Sequence, residues 1–308
     1  MTTIMMVMNM FRRSFLGMMG AAFATALMGC VQEEELAKKP QPTPTPATTP
    51  TPEAEVVEKI VEIPEPPWEY RKLDPYEVAE LGYQGYCGKT FSGEKLPGAH
   101  CCFGAFYAII KALADEVGSP YKEFIPVTSM ATVGKGGIVG WSTVCGALNG
   151  AAWATYLVLP EEEADKVINE LFAWYQYEEL PKYKPPKAMK ASLDPMPTSV
   201  ANSPLCHASV TNWCTASGYR AFSKERSERC ARLTADVAGK TIELINAMHD
   251  GTFAYVYYDK NTELNTCGSC HSNKGSTLED TRGKMYCVSC HSDKGATHIE
   301  SIEVHPKI

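Results

Sequence analysis

The sequence predicts a mostly α-helical chain that ends in a short irregular segment unable to build its own core. Three observations carry that prediction. Between Trp68 and Asp250, apolar residues recur at helical spacing behind proline and acidic start signals. In the same stretch, cysteines are scattered through Ala/Gly-rich runs and do not gather in one compact motif. Near the C-terminus stand two C-x-x-C-H motifs, Cys267-Gly-Ser-Cys270-His271 and Cys287-Val-Ser-Cys290-His291, joined by a polar link from Ser272 to Tyr286.

Taken in order, residues 1–29 read as an export signal outside the fold. Arg12-Arg13 precedes an apolar run from Phe15 to Gly29, too short for an ordinary membrane span. Arg12-Arg13-Ser14-Phe15-Leu16 resembles a twin-arginine signal, with a general secretory route as the alternative. Leu27-Met28-Gly29-Cys30 resembles a bacterial lipobox, which would make Cys30 the acylated first residue and a lipid anchor the only membrane attachment. A simple cleaved signal, with Cys30 discarded, is the other reading. Residues 30–67 are Pro/Thr/Glu-rich and read as a partly polyproline tether. Loss of Arg12 and Arg13 with the signal takes the formal net charge from −7 to −9. That balance, with no basic patch interleaved with aromatics, excludes nucleic acid as the expected partner.

Residues 68–250 form the helical part. Asp74-Pro75 starts a short helix over Leu73–Leu81, followed by a glycine-rich loop from Tyr83 to Gly98 that contains Cys87. His100-Cys101-Cys102 opens a stronger helix, with Cys102, Phe106, Ile109 and Leu113 on one face. Gly134-Lys135-Gly136-Gly137 allows tight turns, and the apolar stretch Ile138–Leu159 reads as a buried helix rich in small residues. Pro160 followed by Glu161, Glu162 and Glu163 starts the next helix, whose core face includes Val167, Leu171 and Tyr175. Pro181–Pro197 reads as a surface excursion. The last long helix runs from Ser223 or Lys224 to about His249, with Gly239 inside it. Thr252–Tyr258 is a short strand or an aromatic wall.

Residues 251–308 hold the paired motifs. In a C-x-x-C-H motif, two thiols bind the porphyrin edge and the adjacent imidazole ligates the iron. Cys267, Cys270, Cys287 and Cys290 would therefore attach two haem c groups, with His271 and His291 as proximal ligands. The same four cysteines also have an acceptable zinc-ribbon spacing, with sixteen residues between the pairs, and they could form two disulfides. Neither alternative uses the histidine that follows each pair, and haem attachment agrees with export. Two six-coordinate haems need two further ligands. His249, His298 and His305 are the distal candidates, while His100 and His207 adjoin cysteines of the helical part. A continuous helix would place Cys230 and His249 roughly 28 Å apart, at 1.5 Å per residue.

The helical part resembles the redox-active family named for scattered cysteines around a Gly-Cys-Ala-x-x-Gly core. The resemblance rests on Cys102 with Ala105, on Val144-Cys145-Gly146-Ala147-Leu148-Asn149-Gly150, and on Cys206, Cys214 and Cys230. Val144 stands where that family has glycine, and Ala147 and Gly150 fit with a one-residue shift. With the two C-x-x-C-H motifs, the arrangement from Leu73 to His291 resembles the split-Soret cytochrome c family. The resemblance implies a homodimer with two haems per subunit and bis-histidine ligation that crosses the dimer. It also implies an iron–sulfur cluster, 2Fe-2S or 4Fe-4S, held by Cys102, Cys145, Cys206 and Cys230, with Cys214 as alternate and Cys101 and Cys87 behind it. The fold class is then a helical iron–sulfur domain followed by a small, irregular, haem-organised segment.

The function that follows is extracytoplasmic electron transfer between redox protein partners, as a carrier more than an enzyme. Two other classes compete: a small multihaem reductase of a metal or oxyanion, which needs an open iron position, and a zinc-stabilised, lipid-anchored binding module. The chain shows no Ser–His–Asp arrangement, no phosphate-cradling glycine loop after a strand, and no carboxylate pair placed for hydrolysis.

Overall fold

A computed structural model describes residues 63–260 and 283–289, and helices carry nearly all of the regular structure in them. The α-helices are α1 (Pro75–Cys87), α2 (Cys101–Glu116), α3 (Tyr121–Phe124), α4 (Gly146–Val158), α5 (Glu161–Tyr177), α6 (Cys206–Ser217) and α7 (Lys224–His249). Among the described residues, strand is confined to a two-residue antiparallel pair, β1 (Glu179–Leu180) with β2 (Ser199–Val200). The mostly α prediction holds.

Helix α2 is the centre of the core. Most of its residues from Cys102 to Ala114 are buried, and it packs on α1, α4 and α7. A helix apolar on nearly every face stays in place only when neighbours cover it all round. Local signals set several boundaries. Asp74 caps α1, its Oδ1 accepting the N–H of Tyr76 at 2.7 Å and of Glu77 at 3.1 Å. Ser223 caps α7 by accepting the Arg226 N–H at 3.0 Å. Pro160 precedes α5, with Glu161, Glu162 and Glu163 in its first turn.

Several boundaries differ from expectation. Helix α1 continues through the predicted loop as far as Cys87, because Gly82 and Gly85 let it lie against α7 and α2. A Cβ on Gly85 would stand 2.8 Å from the Gly104 Cα. Helix α4 begins only at Gly146. The preceding loop turns on positive-φ glycines at 136, 137 and 140, and exposes Ile138, Val139 and Trp141. Helix α7 runs unbroken through Gly239, so its ends are separated as the rise per residue requires. Thr252–Tyr257 forms neither a strand nor a helix, and a 3-10 turn follows at Tyr258–Lys260. The excursion after Pro181 is pinned inward, Asp236 accepting the backbone N–H groups of Lys182 and Tyr183, both at 2.8 Å.

Two buried carboxylates tie distant segments together. Glu228 pairs with Arg232 at 2.9 Å and accepts the Tyr83 hydroxyl and the Lys190 N–H at 3.1 Å. Glu170, 1 % exposed, accepts the backbone N–H groups of Val256, Tyr257 and Tyr258. It fastens the segment after α7 to the middle of α5. Among the described residues no helix is long and apolar enough to cross a membrane.

Helices α2 and α4 meet at Gly150, where a Cβ would lie 2.2 Å from the Cys102 carbonyl oxygen and 3.0 Å from the Phe106 nitrogen. Alanine gains helix propensity by about 1 kcal/mol but forces backbone apart. Gly150→Ala is expected to destabilise the protein by about 1–3 kcal/mol net of that gain, read as a lower urea midpoint at unchanged slope.

Candidate metal centre

Four thiols converge where helices begin. Cys101 opens α2, Cys145 immediately precedes α4, Cys206 opens α6, and Cys230 lies in the second turn of α7. None of α2, α4 and α6 has a side-chain cap at its start. The N–H groups of their first turns are therefore left without a side-chain acceptor, and the Ala147 N–H of α4 lowers the Cys145 thiol against the larger effect of burial. Backbone pairing fixes two of the four directly. Val144 and Leu205 form an isolated bridge, in which the Cys145 N–H donates to the Pro204 carbonyl and the Cys206 N–H to the Thr143 carbonyl, both at 2.8 Å.

Cys101 feels the charge of Cys145, Cys206 and Cys230, Cys206 that of Cys145 and Cys230, and Cys145 that of Cys230. Burial is the largest influence on Cys101, Cys145 and Cys206, and neighbouring thiols add to it. The Cys101 thiol is pushed well above its ordinary range, and Cys145 is raised. Cys206 reaches about 12, with Arg229 and Arg226 pulling it back. These groups are protonated at neutral pH without metal, and metal binding must displace their protons. The Cys101 Sγ also approaches the Gly134 carbonyl at 3.8 Å, and the Tyr175 hydroxyl is within reach of Cys145.

Gly146 completes the cradle: a Cβ there would stand 2.6 Å from the Cys101 Sγ and 2.2 Å from the Gly134 oxygen. On the opposite side lies Arg229, 1 % exposed, with Nη1 3.9 Å from the Cys230 Sγ and Nη2 donating to Ser209 Oγ at 2.8 Å. Its buried Nε has no hydrogen-bond partner. Arg226 Nη1 lies 4.0 Å from the same sulfur. Among the described residues, no three His, Cys, Asp or Glu side chains close up around a single metal ion. Four soft thiols spread about a shared volume suit a multi-iron cluster, in which bridging sulfides separate the ligands. The donor set, the glycine cradle and the cationic wall all fit such a group.

The structure brings together Cys145, Cys206 and Cys230 of the expected set, but the fourth member is Cys101. Cys102 lies on the core face of α2, fully buried, against Gly134, and its thiol is raised to about 12 by burial with Cys145 as its one thiol neighbour. Cys214 stands near Cys230 and the two arginines, outside the group of four. His100 occupies the start of α2 at φ 77° without capping it. His249 is exposed at the far end of α7, its ring stacked on Tyr70 at 4.6 Å.

Of the C-terminal motifs, only the start of the second falls among the described residues. The Cys287 Sγ approaches the Met285 carbonyl at 3.5 Å. The segment docks where α5 ends. The Tyr286 N–H donates to Gln176 Oε1 at 3.0 Å, and Ser289 Oγ donates to the Asn202 carbonyl at 2.6 Å. Its two anchors, Gln176 and Asn202, stand one residue after Tyr175 and four residues before Cys206 in the chain. Cys30, Cys267, Cys270, His271, Cys290, His291, His298 and His305 lie outside the described residues.

A helical scaffold that gathers thiols at helix starts defines a redox-active protein. Residues 101–244 match the family described as redox-active protein (C_GCAxxG_C_C). The chain belongs to the split-Soret cytochrome c family of electron-transfer proteins. It is 40 % identical over 221 residues to the split-Soret cytochrome c of Desulfovibrio desulfuricans, a match covering 71 % of this chain and 76 % of that one. A solved structure of a split-Soret cytochrome c from that species, described as having a novel iron centre, superposes with a TM-score of 0.66 at 40 % identity. That match covers 75 % of this chain and 93 % of the other.

Proposed function

We propose that this chain is an extracytoplasmic electron carrier with two haem c groups and an iron–sulfur cluster per subunit. The observation that carries the proposal is the gathering of Cys101, Cys145, Cys206 and Cys230 about one volume. The haems would be bound through Cys267, Cys270, Cys287 and Cys290, with His271 and His291 as proximal ligands. His249, His298 and His305 are the distal candidates, some reaching the partner subunit of a homodimer. Haem and cluster supply one-electron couples when bound. The chain's own residues partly shield the sulfurs, set Arg229 and Arg226 against Cys230, and anchor the second attachment motif to Gln176 and Asn202. The proposal keeps the order of signal (1–29), tether (30–67), helical domain (68–250) and dihaem segment (251–308), with Cys30 as lipid anchor. The acidic chain then docks redox partners through a basic patch on their side.

The test is an absorption spectrum of protein matured in a host with haem-attachment machinery, with iron, zinc and acid-labile sulfide counted per chain. Two covalent haems, with further iron and sulfide, are the expected result. Haems without labile sulfide would remove the cluster. A colourless protein with zinc would overturn the cytochrome reading of the C-terminal motifs.

A further inference from the structure

We infer that Arg229, backed by Arg226, sets the reduction potential of the four-thiol centre by holding positive charge against Cys230; this rests on the iron–sulfur reading above. The observation is a buried cation without a carboxylate. Three residues along the same helix, Arg232 has Glu228 as counter-ion at 2.9 Å. Among the described residues, no carboxylate lies within ion-pairing distance of Arg229. Its polar contacts are the Ser209 hydroxyl and the Cys230 sulfur, and its Nε is unpartnered. An isolated guanidinium this deep is strongly unfavourable unless anions stand close by. The Cys230 thiol at 3.9 Å is placed to supply one, since a thiol becomes anionic when it binds metal.

The geometry has a consequence for redox chemistry. A one-electron reductant such as dithionite gives up an electron, the centre accepts it, and the site gains one negative charge. No bond to either arginine forms or breaks. A fixed cation stabilises the more negative state, and the effect grows as distance and local dielectric fall. Arg229 is 1 % exposed with Nη1 at 3.9 Å, so it acts with little screening. Arg226 is half-buried at 4.0 Å, its Nε held by the Ala221 carbonyl at 2.5 Å, so it acts in the same direction with more screening. The Tyr175 hydroxyl donates to Ser209 Oγ at 2.9 Å, and Ser209 accepts from Arg229 in turn. The guanidinium is thereby held in register between Cys145 and Cys230.

The experiment is a potentiometric titration of the holoprotein, followed by electron paramagnetic resonance for the centre and by visible absorption for the haems. Iron and labile sulfide are counted in each sample. Arg229→Gln is expected to lower the reduction equilibrium constant of the centre at least tenfold, about 59 mV for a one-electron couple. Arg229→Lys, which keeps the charge, is expected to stay within about threefold of the unsubstituted protein. Arg226→Gln is expected to shift in the same direction by a smaller factor. The haem potentials serve as the internal reference. An intact centre with unchanged potential in Arg229→Gln overturns the inference, as does an equal shift of haems and centre. If Arg229→Gln assembles no centre, Arg226→Gln decides: an unchanged potential there overturns the inference. Absence of labile sulfide from the unsubstituted protein would instead overturn the iron–sulfur reading itself.

Discussion

Serine in place of Cys101, Cys145, Cys206 or Cys230 is expected to strip non-haem iron and acid-labile sulfide from the protein while leaving both covalent haems. Serine in place of Cys102 is expected to leave all of them. The alkoxide that serine would have to offer is a harder, more basic donor than a thiolate, and it competes poorly for iron in a sulfur cluster. Cys101 senses Cys145, Cys206 and Cys230, whereas Cys102 senses only Cys145 and faces the core. Cys102→Ser should therefore cost stability and not iron. Its buried hydroxyl would lack a partner, at about 1–3 kcal/mol. Iron and sulfide per haem, compared across the five variants, check the assignment. A cluster that survives in Cys101→Ser and vanishes in Cys102→Ser would restore the ligand set drawn from family resemblance.

The second large effect is on folding. Glu228→Ala is expected to destabilise the protein by about 3–5 kcal/mol, because it leaves the buried Arg232 without its counter-ion. Arg232 keeps only the Leu193 carbonyl, at 3.2 Å. The Tyr83 hydroxyl and the Lys190 N–H lose their acceptor as well. Since Lys190 lies in the excursion after Pro181, that segment should loosen together with the packing of α1 on α7. Replacing both partners, Glu228→Leu with Arg232→Leu, should cost less than Glu228→Ala alone, because no charge is then left buried and unpaired. Urea denaturation of the three proteins separates the outcomes. A single variant within about 1 kcal/mol of the unsubstituted protein would show that water reaches Arg232.

What could be read in the sequence was what local chemistry decides. Asp74-Pro75, Pro160 with its three glutamates, and Ser223 each mark a helix start, and each start is where those residues place it. Boundaries set by distant contacts were not legible. Gly82 and Gly85 look like loop residues until α2 and α7 are seen to press against them. Helix α6 has no capping signal because its start is fixed by the bridge from Leu205 to Val144. The choice between Cys101 and Cys102 was closer to legible. Cys102 shares the apolar stripe of Phe106, Ile109 and Leu113, which marks it as a core residue and leaves its neighbour to face the other thiols. The arginines of α7 gave no signal, since charges on a helix ordinarily read as a solvated face.

Three helices begin at or beside a sulfur without a capping side chain: Cys145 stands at the cap position of α4, and Cys101 and Cys206 follow His100 and Leu205, which do not cap α2 and α6. The first turns of α2, α4 and α6 thus lack the side-chain acceptor that a serine or aspartate supplies elsewhere. In the metal-free chain those turns are the cheapest places to open, while the interior of α2 beyond them stays locked in the core. Insertion of the proposed cluster would then begin with the fraying of three helix ends. Amide exchange before and after loading would mark the difference as slowed first turns around an unchanged centre.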